Sequence, residues 1–302
     1  MMRLHLLLIP FVLAASMIIA DDNLDESQAI EKIELLGGIV RRDNKLPGRP
    51  VISVDLLPAR NKDVTKFNDE HICVLDSFPS LIFLSLSETE ITNDGLKKLR
   101  GLKNLNGLRL DNTKITDAGM KEISEINTLT QLSLQDCRIS TLGLRYLKKL
   151  KDLKSLNLDF CKITDADLKV TCELESLTEL DLRHTGITDA GLKELRKLKN
   201  LTCLLLGATA ITDVGLKDIG ELTQLSQLYI EYTKVTDVGL KELSHLKHLT
   251  VLWMNNTVAT DVGLKELSGL ETLEEIRISE TKITDTGVKE LQEALPNLKI
   301  ER

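Results

Sequence analysis

The sequence is poor in aromatic residues and has no excess of positive charge. Its 302 residues include one Trp, three Tyr and five Phe, so the positions of these few side chains are informative. Lys and Arg number 39 against 46 Asp and Glu, a net charge of −7. This balance argues against binding nucleic acid by neutralising phosphates, unless a basic face is segregated, and we predict no nucleic-acid partner. With 42% hydrophobic and 28% charged residues, the chain still has the composition of a folded protein.

Sequence motifs that carry catalytic or metal chemistry are also missing. The five cysteines form no C-x-x-C pair, which removes zinc-site and thioredoxin-like interpretations. There is no G-x-x-x-x-G-K-[ST], no G-x-S-x-G and no H-E-x-x-H, so phosphate-loop, hydrolase and zinc-protease chemistry have no starting point. We therefore predict a protein that is not an enzyme, with no cofactor, no metal and no catalytic residues.

Only one long apolar run occurs, and it lies at the N-terminus. Arg3 precedes the run LLLIPFVLAASMIIA, and Ala20 stands before two aspartates at a plausible cleavage point. This pattern predicts a signal peptide over residues 1–20 and hence an exported protein that is periplasmic, in the cell envelope or extracellular. A segment retained as a membrane anchor is the alternative. After its removal we expect no membrane span.

The most informative pattern is an internal repeat of 24 residues, whose unit is L-x-x-L-x-L-x-x-T-x-I-T-D-x-G-L-K-x-L-x-x-L. Leu108 and Leu110 are separated by Arg109, and this alternation is typical of a strand with one buried face. Met120, Ile123 and Ile126 follow at helical spacing, and we expect Asp117 to be the N-cap of this short helix. One unit cannot bury its apolar side alone, so the units must stack. Nine units are present, and the segment equivalent to I-T-D begins in them at Ile91, Ile115, Ile139, Ile163, Ile187, Ile211, Val235, Ala259 and Ile283.

These motifs resemble the leucine-rich-repeat family, in particular the subtype with I-T-D-x-G-L-x-x-L units known from F-box proteins and exported bacterial repeat proteins. The resemblance implies an α/β fold, a right-handed solenoid with a concave parallel β-sheet and convex short helices. It also implies that Cys137 and Cys161, at a position held elsewhere by Thr, are buried members of a ladder; a redox pair between them is the alternative. Asp167 and His71 replace the repeat's Gly, which indicates a helical site where Gly is a preference.

We divide the chain into residues 1–20, an N-terminal capping region over 21–80 and a repeat domain over 81–302. The capping region contains a helix in ESQAIEKIELLGG, a strand in VISVDL and a degenerate first repeat in FNDEHICVL. The repeat domain has nine repeats and ends in a half-repeat, LPNLKIER, whose charges would protect the sheet edge. About eleven strands are expected, at about 4.8 Å spacing.

Candidate site residues are those that do not repeat on the concave face. The first group is apolar, and a contiguous aromatic patch is typical of an interface, although packing that only stiffens the sheet is the alternative. It comprises Leu205, Tyr229, Trp253, Val251 and Cys203, with Tyr232 at a strand exit. The second group is polar and suits a rim of hydrogen bonds. It comprises Arg109, Asp111, Asp136, Asn157, Asp159, Asp181, Arg183 and His184, with His184 interpreted as a surface partner of Asp181.

These features predict a non-catalytic exported module that binds a protein or peptide on its concave face. Leu205, Tyr229, Trp253 and Val251, with Tyr232, would form the anchor. Asp181, Arg183, Glu231 and Arg277 would set the register. Two other functions stay open: an F-box-like substrate receptor of a ubiquitin ligase, which the absence of a recognisable F-box opposes, and a structural cell-envelope protein. The sequence does not predict the oligomeric state.

Overall fold

Each repeat contributes one short strand, because its alternating leucines fit a sheet with one buried face. The computed structural model describes residues 24–56 and 67–302, and the predicted signal peptide lies outside them. Within these ranges, twelve strands form one sheet in chain order: β1 Ile39–Arg42, β2 Val51–Asp55, β3 Phe83–Ser85, β4 Gly107–Arg109, β5 Gln131–Ser133, β6 Ser155–Asn157, β7 Glu179–Asp181, β8 Cys203–Leu205, β9 Gln227–Tyr229, β10 Val251–Trp253, β11 Glu275–Arg277 and β12 Lys299–Glu301.

The sheet is parallel from β2 to β12, as the stacked units predict. Equivalent residues pair from repeat to repeat, for example Leu204 with Leu228 and Leu228 with Leu252. The leucines of this row are fully buried, so the parallel strands present one side to the core and the other to the open face of the sheet. β1 differs, since it runs antiparallel to β2. The α/β solenoid expected from the repeat is confirmed.

Short helices return the chain from one strand to the next. The α-helices are α1 Glu26–Leu35, α2 Asn93–Leu96, α3 Asp117–Ile123, α4 Thr141–Tyr146, α5 Asp165–Thr171, α6 Asp189–Leu192, α7 Asp213–Ile219, α8 Asp237–Glu242, α9 Asp261–Glu266 and α10 Asp285–Ala294. The 3₁₀ helices are Asp69–Ser77, Lys97–Gly101, Leu147–Lys149, Lys193–Lys197 and Leu243–His245. The helix predicted near residue 30 is present as α1, which buries Ala29 and Ile33. The sequence analysis missed β1.

The helix caps correct one prediction. Asp117 is the first helical residue, and Thr116 is the N-cap. In the regular repeats the Thr side chain caps its own helix, as where the Thr212 hydroxyl accepts the Val214 amide hydrogen at 3.3 Å. This arrangement leaves the following aspartate free to bond elsewhere.

The aspartate bonds to the next repeat instead. The carboxylate of Asp213 accepts hydrogen bonds from the Thr236 amide and the Thr236 hydroxyl, both at 2.7 Å. We call this set of contacts the aspartate ladder, because it fastens the start of each helix to the preceding one. Its donors and acceptors are Thr92 to Asp69, Ser140 to Asp117, Thr188 to Asp165, Thr212 to Asp189, Thr236 to Asp213, Thr260 to Asp237 and Thr284 to Asp261, with Asn93 accepting from Thr116.

The ladder explains the glycine of the repeat. A Cβ added to Gly239 would lie 2.5 Å from the Asp213 carboxylate oxygen, so the preceding aspartate excludes a side chain there. The chain departs from this rule where Thr141 replaces the aspartate and Asp167 replaces the following glycine. Asp167 then accepts from the Thr164 amide at 2.9 Å and from the Thr141 hydroxyl. The glycine is therefore a steric requirement wherever the aspartate precedes it, and not only a preference as predicted.

The cysteines at the Thr position lie in the core, as predicted. Cys137 and Cys161 are 4% and 2% exposed, and their Sγ atoms donate to the Leu110 and Leu134 carbonyls at 3.2 and 3.1 Å. Burial raises the pKa of Cys161 to about 12, which keeps the thiol protonated and able to donate. Both thiols are free. The buried-ladder interpretation is confirmed.

Candidate functional site

The open face of the sheet, on the side away from the buried leucines, brings the predicted apolar residues together. Leu205 pairs with Tyr229 and Tyr229 with Trp253, so the three lie side by side on β8, β9 and β10. All three side chains are half-buried. Cys203 and Val251 lie in the neighbouring row, on either side of Gln227. We call Leu205, Tyr229, Trp253 and Arg277 the aromatic cluster.

Tyr229 and Trp253 contact each other edge to face. Their ring centroids are 4.7 Å apart and the ring planes meet at 76°, a favourable arrangement for two quadrupoles. The Tyr229 hydroxyl donates to Gln227 Oε1 at 3.2 Å. Burial raises the pKa of Tyr229, so the phenol keeps its proton at neutral pH. The tyrosine is thus held both by its ring and by its hydroxyl.

Trp253 is fixed from its other side by charged residues of the next strands. The Arg277 guanidinium carbon lies 3.8 Å from the centroid of the indole ring, a cation–π contact of about 0.5–1 kcal/mol at a partly exposed site. Glu275 Oε1 accepts from Trp253 Nε1 and from Arg277 Nε, each at 3.0 Å, and Glu301 pairs with Arg277 at 2.9 Å. The hydrogen bond from Arg277 lowers the pKa of Glu275. The sequence analysis missed Glu275 and Glu301, since the repeat pattern does not show which way side chains turn across strands.

A second group of side chains, the arginine cluster, comprises Asp159, Asp181, Arg183 and His184. Arg183 donates to both oxygens of Asp181, with Nε 3.0 Å from Oδ1 and a terminal nitrogen 2.6 Å from Oδ2. The same terminal nitrogen lies 3.7 Å from Asp159. These bonds raise the pKa of Arg183, with the hydrogen bond to Asp181 as the largest cause. Asp181 is therefore the partner of an arginine.

The predicted pairing of His184 with Asp181 is wrong. His184 Nδ1 lies 2.9 Å from Asp159 Oδ1 instead. The imidazole also stacks on Phe160, with centroids 3.9 Å apart and planes 9° from parallel. Because Arg183 is already hydrogen-bonded to Asp181, His184 pairs with a carboxylate of the preceding repeat. This arrangement orients the imidazole for contact and contains no nucleophile for it to activate.

Glu231 lies next to the arginine cluster, across a single small residue. Its carboxylate covers Gly207 of β8's repeat, and a Cβ added to Gly207 would lie 2.5 Å from Oε1. Burial raises the pKa of Glu231, opposed in part by a hydrogen bond from its own backbone amide and by the charge of Arg183. Among the described residues its Oε2 has no hydrogen-bond partner, although that atom is buried. A buried acceptor without a donor costs roughly 1–3 kcal/mol.

Tyr232 belongs to a different row from the aromatic cluster. It is 62% exposed and has a left-handed backbone, with φ of 57°. The equivalent residue of every repeat has the same conformation, which tightens the turn as the strand ends and costs roughly 1–2 kcal/mol for a residue with a Cβ. The row comprises Glu88, Asn112, Asp136, Phe160, His184, Ala208, Tyr232, Asn256 and Glu280.

Comparison with known proteins gives matches to leucine-rich repeats and to solved structures of internalins. Two models described as leucine rich repeat match residues 127–187 and 269–291. Internalin C2 from Listeria monocytogenes is 25% identical and has a TM-score of 0.53, covering 70% of this chain and 84% of its own. These matches support a leucine-rich-repeat family for the chain. A second internalin of Listeria monocytogenes, inlF, covers 92% of this chain and 94% of its own at 18% identity and a TM-score of 0.52, which supports the fold alone. No curated protein matches the chain.

The leucine-rich-repeat fold suggests a protein-binding module, and proteins of this fold are typically non-catalytic. The I-T-D-x-G-L subtype stays a prediction. Over residues 24–56 and 67–302, no set of three or more His, Cys, Asp and Glu residues has the arrangement of a metal site. Across the same ranges, no helix has the length and apolar character needed to cross a membrane.

One recess of about 1180 Å³ lies outside the aromatic cluster and borders the arginine cluster through Phe160, which stacks on His184. It is formed by the loops between strands and helices in the first half of the leucine-rich-repeat protein. Its lining mixes Glu88, Asp136 and Asp167 with Arg138 and Lys162, so the charges are of both signs. This lining shows no preference for one class of ligand, and we assign no site to it.

Proposed function

We propose that the protein is an exported, non-catalytic module that binds a protein or peptide on the concave, open face of its sheet. The aromatic cluster is the observation that carries this proposal. Trp, Tyr and Arg are the residues most enriched at the centres of interfaces, and here they are adjacent, half-buried and held by hydrogen bonds. Because their rotamers are already fixed, a partner loses little side-chain entropy by contacting them.

The surrounding residues supply the rest of an interface. Val251 extends the apolar surface in the neighbouring row, and Tyr232 adds an exposed ring at the strand exit. Asp181 and Arg183 form an ion pair beside the cluster, and Glu231 has a buried carboxylate oxygen without a hydrogen-bond partner among the described residues. An apolar centre with polar groups around it is the usual arrangement of a binding surface. In this proposal the polar groups set the register of the partner.

Crosslinking mass spectrometry on native cell-envelope extracts tests this function. The double variant Tyr229→Ala/Trp253→Ala is compared with the wild type and with Gln131→Ala, an exposed control on β5 of the same face. We expect crosslinks to partner proteins from the open face in the wild type and in the control, and their loss in the double variant. Thermal unfolding of all three proteins accompanies the measurement.

Two outcomes contradict the proposal. Unchanged crosslinks in the double variant would show that the aromatic cluster is not the anchor. Loss of the fold in that variant would instead assign Tyr229 and Trp253 to stiffening of the sheet. Export is tested separately by N-terminal sequencing of the mature protein, which should begin after Ala20.

A further inference from the structure

One repeat interrupts the row of side chains on the open face. Gly207 and Ala208 occupy the two positions where the preceding repeat has Arg183 and His184 and the following one has Glu231 and Tyr232. Since parallel strands are spaced at about 4.8 Å, the two flanking repeats are on the order of 10 Å apart here. We call the gap above Gly207 and Ala208, between these two pairs of residues, the Gly207 notch.

Glu231 closes part of the notch in the free protein. Its carboxylate lies over Gly207, where an added Cβ would be 2.5 Å from Oε1 and 2.6 Å from Cδ. A residue with a Cβ at position 207 would displace the Glu231 carboxylate from this place. In it, the Oε2 atom is buried and has no donor among the described residues. A carboxylate in this condition gains by meeting a donor, in particular a charged one.

The opposite wall of the notch does not supply that donor. Arg183 donates its hydrogen bonds to Asp181 and lies 3.7 Å from Asp159, so its guanidinium is already paired with other carboxylates. Three carboxylates, those of Asp159, Asp181 and Glu231, thus face one guanidinium. Glu179, exposed on β7, adds a further negative charge. The excess is negative, which favours a cation and disfavours a phosphate or a carboxylate.

The apolar floor next to the notch suits a long aliphatic stem. Leu205 and Tyr229 are paired in the adjacent row and are half-buried, so part of their apolar surface is exposed on the open face. Lysine and arginine combine such a stem with a cationic end that donates several hydrogen bonds. A bare metal ion fits less well, because the described residues form no group of ligands for one.

We propose that the Gly207 notch receives a lysine or arginine side chain from an extended segment of the protein partner, and that the Glu231 carboxylate turns away from Gly207 to accept a hydrogen bond from it. The proposal rests on the proposed function, since the same segment must lie along the open face. An apolar residue of that segment contacts the aromatic cluster, which begins one row away. The notch therefore selects the partner, and the aromatic cluster anchors it.

Selection of a displayed library of random linear peptides on the purified protein tests the proposal. We expect the selected peptides to share one Lys or Arg at a fixed distance from an apolar residue. Titration calorimetry with single peptides follows. Replacing that Lys or Arg by Met, or Glu231 by Gln, should weaken binding at least about tenfold, as expected for loss of a charge-assisted hydrogen bond. Gly207→Ala should weaken it as well, because the notch narrows.

Glu88→Gln, an exposed carboxylate far along the same chain, is the matched control and should bind like the wild type. Peptides that need Tyr229 and Trp253 but show no preference for Lys or Arg would overturn the notch proposal and leave the proposed function intact. Peptides that ignore both the aromatic cluster and Glu231, or a selection that yields none, would overturn both. Thermal unfolding of Glu231→Gln and Gly207→Ala confirms that the variants are folded.

Discussion

Neighbouring repeats are joined by polar contacts in two regions, and the two regions differ in how much they vary. In the aspartate ladder nearly every step is the same, with a carboxylate accepting from the Thr of the next repeat. On the open face each step is different: Arg183 binds Asp181 and Asp159, whereas Trp253 binds Glu275. A contact that is identical at every step can hold a solenoid together but cannot distinguish partners. Variation on the open face can.

The largest expected effect is a difference in unfolding free energy between variants on the two sides of strand β9. Leu228 is fully buried and its neighbour Tyr229 is half-buried on the open face. We expect Leu228→Ala to cost about 2–5 kcal/mol of unfolding free energy through the cavity it leaves, and Tyr229→Ala clearly less. Peptide binding should show the reverse order. Urea unfolding and calorimetry on both variants measure this, and equal stability losses would contradict the division into core and surface.

We expect an intermediate effect on stability at Thr141 and Asp167, where the aspartate ladder departs from its regular pattern. Asp167→Gly removes the acceptor of the Thr164 amide and adds a helical glycine, which together should cost about 1–2 kcal/mol. Thr141→Asp alone brings a second carboxylate against Asp167 and should also destabilise. The double variant rebuilds a regular step and should recover most of the loss. Ala166→Gly, exposed on the same helix, measures the cost of glycine alone.

Urea unfolding of the wild type, the two single variants and the double variant gives the coupling between the two positions. Contacting residues show coupling energies of about 0.5–3 kcal/mol. If the effects of Thr141→Asp and Asp167→Gly simply add, the two positions are independent and the steric account of the glycine is wrong.

The smallest expected effect is the contribution of Glu231 to the pH dependence of folding stability. Burial raises its pKa in the folded protein, with Arg183 and His184 opposing and Asp181 reinforcing the shift. A raised carboxyl pKa gives stability that is fully present below the unfolded pKa and is lost as the pH rises through the folded pKa. Glu231→Gln removes this loss, so the variant should gain stability relative to the wild type as the pH increases.

Unfolding curves from acid to neutral pH, with Glu88→Gln as the exposed control, measure this difference. A stability gap between Glu231→Gln and the wild type that shrinks with rising pH would contradict the burial of the carboxylate.

The sequence was sufficient to predict the architecture, because one period of 24 residues contains both a strand pattern and a helix pattern. It also placed Leu205, Tyr229 and Trp253 side by side, since register in a parallel solenoid follows from the repeat. It did not predict β1, which lies outside the repeat, or the partners of His184 and Trp253. Those depend on rotamers and on contacts between different strands. The role of Asp167 was missed for a related reason: it compensates for a change one repeat earlier.

The pairing of each aspartate with a later glycine has a consequence for how such a chain can change its length. Whether two repeats can be joined depends on the pair of residues that meet at their junction, and not on either repeat alone. A duplication or deletion that joins an ordinary aspartate to the unit carrying Asp167 would place two carboxylates together, while joining Thr141 to a glycine would leave a helix start without its acceptor. Gains and losses of repeats should therefore be tolerated on either side of this junction and resisted across it.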